Sequence, residues 1–452
     1  MTYAIVNGKV VNEECTREVT LILKDGIIAD ILDKTEKINE KYPEAEIIDA
    51  KGQYVVPGGV DGHVHFGGFG DIPIADDAIT GSRAALAGGT TSVVDFSQTT
   101  DKDCVEWLRK RKGDLAKGSV DYAIHFTFTE DYENEIPRIP EILEEGVNAF
   151  KAYTYYDGTS LKAGDFRILF QNIHDKGPIL IHAEEKSIID AEKKRFSGDP
   201  SDMGSLYATR PNVCEQIAVE TVLALAKETG TKLAIAHTSA GETADISARE
   251  KAAGNKDFFI ESTPSYLEFT VENSKGEKGP LYTINPPLRS DKDRQRLREA
   301  VNKEEIDFFS TDHCVYLTKY KMNTTYTTVP CGVDGVQTRM PYLFSEFVVN
   351  GNLSMEAFVR LTSTNCAKFY EFYPKKGTIA VGSDADLAFF DPEIEWTYGE
   401  DQIAGATDYT IFEGKKLKGK CTCTIKGGEI VMKDDVVSAK PGTAQFIDTV
   451  HK

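Results

Sequence analysis

The chain has 452 residues, of which 40% are hydrophobic and 27% are charged, and its formal net charge is −20. This length and composition are typical of a globular protein with one large and one smaller domain. The negative charge argues against nucleic acid or an anionic membrane as a partner, because both favour Lys and Arg. No apolar run approaches the roughly 18 residues that a membrane span needs. The eight cysteines lack the spacing of a secreted disulfide framework, so we expect a cytoplasmic protein.

The two ends of the chain predict one small β domain. Residues 1–53 contain the turn pairs Asn7-Gly8 and Asp25-Gly26 between β-forming residues. This segment is too short for a good core of its own, and matching short strands return at 382–391 and 423–435. We therefore expect residues 1–53 and 371–437 to form a small β-sandwich. The C-terminal tail, residues 438–452, has too few apolar residues to fold alone, and we expect it to lie across a neighbouring subunit.

Between these ends, strand-like and helix-like segments alternate. The clearest helix is predicted from Asn212, as N-cap, to the terminating Gly230. Most strand candidates are continuous apolar runs, which is typical of strands buried on both faces of a parallel sheet. The eight candidates are 54–62, 91–96, 121–128, 147–152, 177–182, 231–237, 257–262 and 306–312. This α/β pattern predicts a (β/α)8 TIM barrel over residues 54–370, with catalytic residues at the C-terminal ends of the strands.

Six side chains with metal-binding chemistry fall at those strand ends. His63 and His65 are two residues apart at the end of the first strand and would face the same way. The later strands add Lys151, His182, His237 and Asp312. A lone pair of histidines is more often structural, but six such residues at one edge indicate a metal site. The remaining histidines, His125, His174, His313 and His451, are interpreted as structural or surface residues, with His313 kept as a supporting candidate because it follows Asp312.

Lys151 needs a separate explanation, because an ammonium group would be repelled by metal ions. Burying it unpaired is costly, and a buried lysine can instead become a neutral amine. Reaction with CO2 would give an anionic carbamate whose two oxygens can bridge two cations; the alternative is a structural lysine paired with a carboxylate. The set of nitrogen and oxygen ligands suits Zn²⁺ best, with Mn²⁺, Fe²⁺, Co²⁺ and Ni²⁺ also acceptable.

Several segments resemble the cyclic amidohydrolases of the amidohydrolase superfamily, most closely the dihydropyrimidinase and hydantoinase group. They include PGGVDGHVHF, FKAYTYY, IHAEE, INPPLRSDKDRQRL, STDHC and PCGVDGVQTRMP, and the likeness covers nearly the whole chain. The resemblance implies two metals, one held by His63, His65, Asp312 and carbamylated Lys151, and the other by the same carbamate with His182 and His237. It also implies a metal-bridging hydroxide, Asp312 as general base, and a homotetramer or homodimer.

The same resemblance suggests residues that bind the substrate. It implies that Tyr156 donates to the developing oxyanion, with Tyr153 and Tyr155 as competitors. Asn285 stands where the group usually has serine, and Cys331 stands where it often has asparagine; we expect both to bind the substrate ring. Gly67 replaces an arginine of dihydroorotases, which argues against dihydroorotate as substrate. Phe66, Phe69 and Ile72 are predicted to form an apolar gate, with ordinary packing as the alternative.

The predicted function is metal-dependent hydrolysis of the cyclic amide bond of a dihydropyrimidine or a 5-substituted hydantoin, giving an N-carbamoyl amino acid. The first alternative is allantoinase, the same chemistry on a more polar hydantoin. The second is a metal-free scaffold protein of the same superfamily. That alternative is disfavoured because all six ligand positions are filled.

Overall fold

Eight parallel strands form a barrel at the centre of the molecule. The computed structural model describes residues 1–33, 38–67, 72–97 and 103–451. The barrel strands pair in chain order and are Gly59–Asp61, Thr90–Ser97, Asp121–Thr127, Ala149–Tyr153, Ile179–His182, Leu233–Ile235, Phe258–Ser262 and Phe308–Phe309. The first and last strands meet just beyond their regular ends, where Asp312 N donates to His63 O and His65 N donates to His313 O, both at 2.9 Å. The predicted TIM barrel is confirmed.

Helices connect the barrel strands and cover their outer face. The longer ones are Ala78–Ala87, Cys104–Leu115, Ala163–Ile173, Lys186–Arg195, Asn212–Thr229, Gly241–Ala252 and Asp291–Asn302. Shorter α-helices are Ile38–Lys41, Tyr132–Glu135, Ile139–Glu144, Ser205–Thr209, Pro264–Glu268, Thr318–Lys321, Arg339–Leu343, Met355–Val359 and Asn365–Phe369. None of the helices in the described ranges has the length and apolar character to cross a membrane.

The best-predicted helix differs from its prediction by one residue. Gly230 ends it with φ of 73°, a left-handed conformation that glycine adopts without steric cost. Pro211, rather than Asn212, is the N-cap residue. The Asn212 amide instead donates to Glu242 and Asp293 on neighbouring helices, so a tertiary contact takes the place of the predicted cap.

Two sheets form the smaller domain, as predicted. One contains, in spatial order, Ile27–Asp33, Val19–Lys24, Thr2–Val6 and Glu46–Asp49. The other contains Val436–Val437, Glu429–Lys433, Lys415–Lys426, Leu387–Tyr398, Tyr54–Pro57, Lys9–Val11 and Thr16–Arg17, and therefore combines both ends of the chain. Apolar side chains from the two ends, including Ile5, Leu21, Ile28, Leu387 and Ile425, share one core.

The predicted strand 54–62 is wrong as a single element. Tyr54–Pro57 pairs antiparallel with Leu387–Tyr398 in the smaller domain, whereas Gly59–Asp61 is the first barrel strand. Gly58 lies between them in a crowded position, where a Cβ atom would be only 2.2 Å from Thr91 Oγ1. A side chain at this crossing point would clash, so the chain passes from one domain to the other through a glycine.

The C-terminal tail packs on the barrel of its own chain, which corrects the expectation that it lies across a neighbour. Tyr122, at the start of the third barrel strand, donates its N–H to Gln445 O at 2.9 Å and accepts from Ile447 N at 2.8 Å. Ile447 is buried with the residues that fill the barrel interior. Thr449 bonds Asn148 before the fourth strand, so the tail closes the N-terminal end of the barrel.

Candidate metal centre

A cavity of about 480 Å³ opens at the C-terminal end of the barrel. All nine site residues predicted from the sequence line it: His63, His65, Lys151, Tyr156, His182, His237, Asn285, Asp312 and Cys331. Three of them have positive φ angles, namely Tyr156 at 82°, His237 at 37° and Asp312 at 50°. Such conformations are costly outside glycine and cluster at functional sites, where the surrounding fold imposes them.

Imidazole nitrogens and one carboxylate converge within this cavity. Asp312 Oδ1 lies 3.1 Å from His63 Nε2 and 3.1 Å from His65 Nε2. His182 Nδ1 lies 2.9 Å from His237 Nε2. Potential ligand atoms of His63, His237 and Asp312 all lie within 4.8 Å of one another, so one cation could contact all three. This set of nitrogen and oxygen donors suits zinc and related divalent metals.

Two buried carboxylates fix the orientation of the imidazoles. Glu261 Oε1 lies 2.6 Å from His63 Nδ1, and Glu184 Oε2 lies 2.8 Å from His182 Nε2. Glu184 is in turn paired with the guanidinium of Arg210. Carboxylates behind metal-binding histidines set the tautomer and leave the other nitrogen facing the metal. Here they leave His63 Nε2 and His182 Nδ1 directed at the cavity.

These supporting residues are not among the residues predicted from the sequence, although the sequence carries signals for two of them. Glu184 follows His182 by two residues, and Glu261 is an acidic residue near the end of an otherwise apolar barrel strand. Both acids are fully buried, which requires a partner. Arg210 lies in a loop, and no local pattern connects it to Glu184.

The amine of Lys151 is buried beside the rings of Phe96 and Tyr153, without a hydrogen-bond or ion-pair partner among the described residues. Its side chain is 0% exposed, and no described residue forms a hydrogen bond or an ion pair with Nζ. Burial lowers the pKa of Lys151 to about 8, while the carboxylates of Glu261 and Asp312 act in the opposite direction. The structural alternative, a lysine paired with a carboxylate, therefore does not describe this residue. An unpartnered buried amine fits a site that is completed by CO2 and metal ions.

The histidines around Asp312 favour the ionised form of its carboxylate. Burial alone would raise the pKa of Asp312, but the imidazoles of His63 and His65 outweigh it and hold that pKa well below its usual value. For His63, burial and Lys151 act to lower the pKa, whereas Asp312 and Glu261 raise it, and the net result is a raised pKa. Asp312 is therefore an anion at neutral pH, which suits a ligand of a cation.

The three candidate tyrosines differ in their positions. Tyr153 and Tyr156 line the cavity, whereas the hydroxyl of Tyr155 accepts a hydrogen bond from Lys193 outside it at 2.7 Å. The Tyr156 ring lies 5.0 Å from the His182 ring, between centroids. Burial raises the pKa of Tyr156 well above its usual value, so its hydroxyl stays protonated and can donate a hydrogen bond. This geometry argues against Tyr155 as the donor to the oxyanion and leaves Tyr153 and Tyr156 as candidates.

The predicted apolar gate is wrong for Phe66, and packing is the correct alternative. The Phe66 ring is 2% exposed and contacts the helix Ala78–Ala87 at Gly81 and the ring of His313. Ile72 is half-buried and is absent from the described lining of the cavity, and Phe69 lies outside the described residues. The His313 side chain bonds Asp76 at 3.0 Å, and its supporting role for Asp312 stays a prediction.

Comparison with known proteins gives similarity over the whole length of the chain. Residues 54–431 match the amidohydrolase family. D-hydantoinase from Geobacillus stearothermophilus is 32% identical over 465 residues, covering 99% of this chain and 96% of that protein. D-phenylhydantoinase from Escherichia coli strain K12 is 31% identical, covering 99% and 98%. The crystal structure of dihydropyrimidinase from Brevibacillus agri superposes with a TM-score of 0.94 at 27% identity, covering 99% and 98%.

Proposed function

Because the chain belongs to the amidohydrolase family, we propose that it hydrolyses the ring amide bond of a dihydropyrimidine or a 5-substituted hydantoin. The product would be an N-carbamoyl amino acid. The observation that carries this proposal is the cavity into which four imidazoles, one carboxylate and one unpartnered amine converge. The names of the similar proteins, D-hydantoinase and dihydropyrimidinase, support this class of substrate.

Two divalent cations fit the donor set, with Zn²⁺ as the first candidate. His63, His65 and Asp312 would hold one and His182 and His237 the other, with Lys151 as a carbamate shared by both. When bound, such cations polarise a carbonyl group and lower the pKa of water towards neutrality. The buried, unpartnered Nζ supports the carbamate, because the modification would supply the negative charge that the site otherwise lacks at this position.

We propose that side chains of this chain transfer the proton, stabilise the oxyanion and orient the substrate ring. Asp312, ionised at neutral pH, would accept the proton of the attacking water at its carboxylate and return it to the leaving ring nitrogen. The protonated hydroxyl of Tyr156 would donate to the oxygen of the scissile carbonyl as negative charge develops there. Asn285 and Cys331, which line the same cavity, would contact the ring and set its orientation.

We also propose a homotetramer or a homodimer in the cytoplasm. Ile168, Val213 and Ile217 are 40 to 43% exposed on the helices Ala163–Ile173 and Asn212–Thr229, which contact each other, and we propose that these residues belong to the interface. All eight cysteines are free, which supports a reducing compartment. Light scattering of the purified protein would give the number of subunits.

A substrate panel tests the proposed activity. Metal-reconstituted protein would be assayed with dihydrouracil, 5-phenylhydantoin and allantoin, and we expect turnover of at least one of the first two. The control is Asp312→Asn, in which the proton acceptor is lost and the rate should fall by about 10²–10⁴-fold with most of the metal retained. Hydrolysis of allantoin alone would favour the allantoinase alternative, and no turnover with a full metal complement would favour the scaffold alternative.

A further inference from the structure

A second fully buried lysine lies behind the wall of the cavity. Lys321 ends the short helix Thr318–Lys321 and is 0% exposed, as Lys151 is. Its Nζ donates to Gly332 O at 2.6 Å, to Thr283 O at 3.3 Å and to Leu281 O at 3.4 Å. Among the described residues it has no carboxylate partner within ion-pair distance, and burial lowers its pKa to about 8. This lysine is therefore held by three backbone carbonyls instead of by an opposite charge.

Those carbonyls belong to the two segments that carry the predicted ring-binding residues. Thr283 precedes Asn285 by two residues, and Gly332 directly follows Cys331. Gly332 N also donates to Thr283 O at 2.8 Å, so the two segments touch at the point where Lys321 bonds both. The side chain of Lys321 thus connects the backbone next to Asn285 with the backbone next to Cys331, the two residues that we expect to contact the substrate ring.

The part of the cavity wall formed by Asn285, Cys331 and Gly332 has little room to rearrange if the hydrogen bonds of Lys321 are lost. Gly332 has φ of 154°, and a Cβ atom there would lie 2.1 Å from the carbonyl oxygen of Cys314. Cys314 also lines the cavity and follows Asp312 by two residues. The ring-binding wall therefore rests directly on the segment that carries the general base. A shift of this backbone by an ångström would change the distance between the substrate ring and Asp312.

The ammonium group of Lys321 has three N–H donors for the three carbonyls, which explains why lysine occupies this position. Without Nζ, Thr283 O keeps the N–H of Gly332, but Gly332 O and Leu281 O lose the donor that Lys321 supplies. Leaving a buried carbonyl without a donor costs about 1–3 kcal/mol, so the segments would shift towards water or towards other donors. The Tyr409 ring, 5.9 Å from Nζ, adds a weak cation–π contact from the segment between Leu387–Tyr398 and Lys415–Lys426. Neither a metal ion nor catalysis at Nζ is needed to account for the lysine.

We propose that Lys321 is a positioning residue of the substrate pocket, which sets the spacing of Asn285 and Cys331 and thereby the affinity for the cyclic amide ring. This inference rests on the proposed function. It assigns Lys321 no contact with substrate or with metal. Loss of Lys321 should therefore raise KM, with smaller effects on metal content and on kcat.

The test uses Lys321→Met in the metal-reconstituted full chain, with the substrate that the unchanged protein hydrolyses best. We expect KM to rise at least about tenfold, because small displacements of positioning groups have large effects. The change in kcat should be smaller, and two metals per chain should be retained by elemental analysis. Lys321→Gln keeps a shorter amide donor and should give an intermediate KM.

Lys319→Met is the matched control, because Lys319 is exposed on the same short helix. Its KM should stay within about twofold of the original value, as for most surface substitutions. The inference is overturned if KM in folded Lys321→Met is unchanged, if metal is lost in proportion to activity, or if neither Lys321 variant folds. Turnover by the unchanged protein, measured in parallel, separates these outcomes from failure of the proposed function.

Discussion

At the scale of single residues, the carboxylates behind the imidazoles determine how the site is built. Glu261 and Glu184 each bond the outer nitrogen of one histidine, and Glu261 also accepts the backbone N–H of His237 at 3.2 Å. One buried acid thereby orients His63 through its ring and His237 through its backbone. The two histidines are neighbours that the proposal assigns to different cations, so Glu261 couples the two halves of the proposed site.

Glu261→Gln tests this arrangement. The amide can still fill the space, but both contacts are made by one oxygen, Oε1, and an amide oxygen carries less negative charge than a carboxylate oxygen. We expect zinc affinity to fall by about 10–100-fold, as for other residues that support metal ligands. Competition with a chromogenic chelator would measure it. Glu277→Gln, on an exposed loop, is the control, and equal affinities in the two variants would contradict the role.

The lowered pKa of Lys151 predicts that assembly of the metal site depends on pH. Only the neutral amine reacts with CO2, and burial lowers the pKa of Lys151 to about 8. The neutral fraction therefore rises about tenfold per pH unit below that pKa and levels off above it. Reactivation of the metal-free protein by zinc and bicarbonate should follow the same curve between pH 6 and 9.

Lys151→Ala provides the control for this measurement. The variant should lose metal and its response to bicarbonate, and a short-chain carboxylic acid with zinc should restore part of the activity. Reactivation of the unchanged protein in CO2-free buffer at the same rate would contradict the carbamate.

At the scale of elements, a buried ion-pair network joins the barrel to the smaller domain. Lys376 Nζ lies 2.6 Å from both Asp121 and Asp386, and Lys426 lies 2.7 Å from Asp121. Asp121 begins the third barrel strand, whereas the other three residues belong to the C-terminal part of the chain. Asp121, Asp384 and Asp386 are close enough to resemble a metal site, but they already pair with Lys375, Lys376 and Lys426.

Lys376→Met should loosen this junction without changing the metal centre. Removing one partner of a buried ion pair costs about 3–5 kcal/mol, because Asp386 would stay buried without its lysine while Asp121 would keep only Lys426. Urea unfolding should show the loss at pH 7. Burial raises the pKa of Asp121, but Lys376 and Lys426 outweigh it and the net pKa is lowered. The stabilisation is therefore present above the ordinary Asp pKa and lost as the pH falls. An unchanged free energy of unfolding would contradict this role.

Local patterns predicted the elements better than the connections between them. The alternation of apolar runs and helices indicated the barrel, and strand ends indicated the positions of His182 and Asp312. The same apolar pattern continues through Tyr54–Pro57 and Gly59–Asp61, although these belong to different sheets. Hydrophobic periodicity does not report which sheet a strand joins. Arg210 and Lys321 were likewise missed, because their partners are far away in the sequence.

At the scale of the whole molecule, the tail closes the end of the barrel opposite the cavity. A chain ending at Val437 would expose Tyr122 and the interior that Ile447 covers. We expect the melting temperature to fall by several degrees while metal content and subunit number stay unchanged. Calorimetry and light scattering would measure these quantities. A chain ending at Val450 is the control, and a changed mass with an unchanged melting temperature would restore the view that the tail contacts a neighbour.

We propose that six side chains from the C-terminal ends of five barrel strands hold two cations at one mouth of the barrel. Anomalous diffraction from crystals of the zinc-loaded protein tests it most directly. We expect two peaks about 3.5–4 Å apart, one beside His63, His65 and Asp312 and one beside His182 and His237. Density extending from Lys151 Nζ should reach both peaks. A single peak, or an unmodified Lys151 that points away from the metals, would contradict the account.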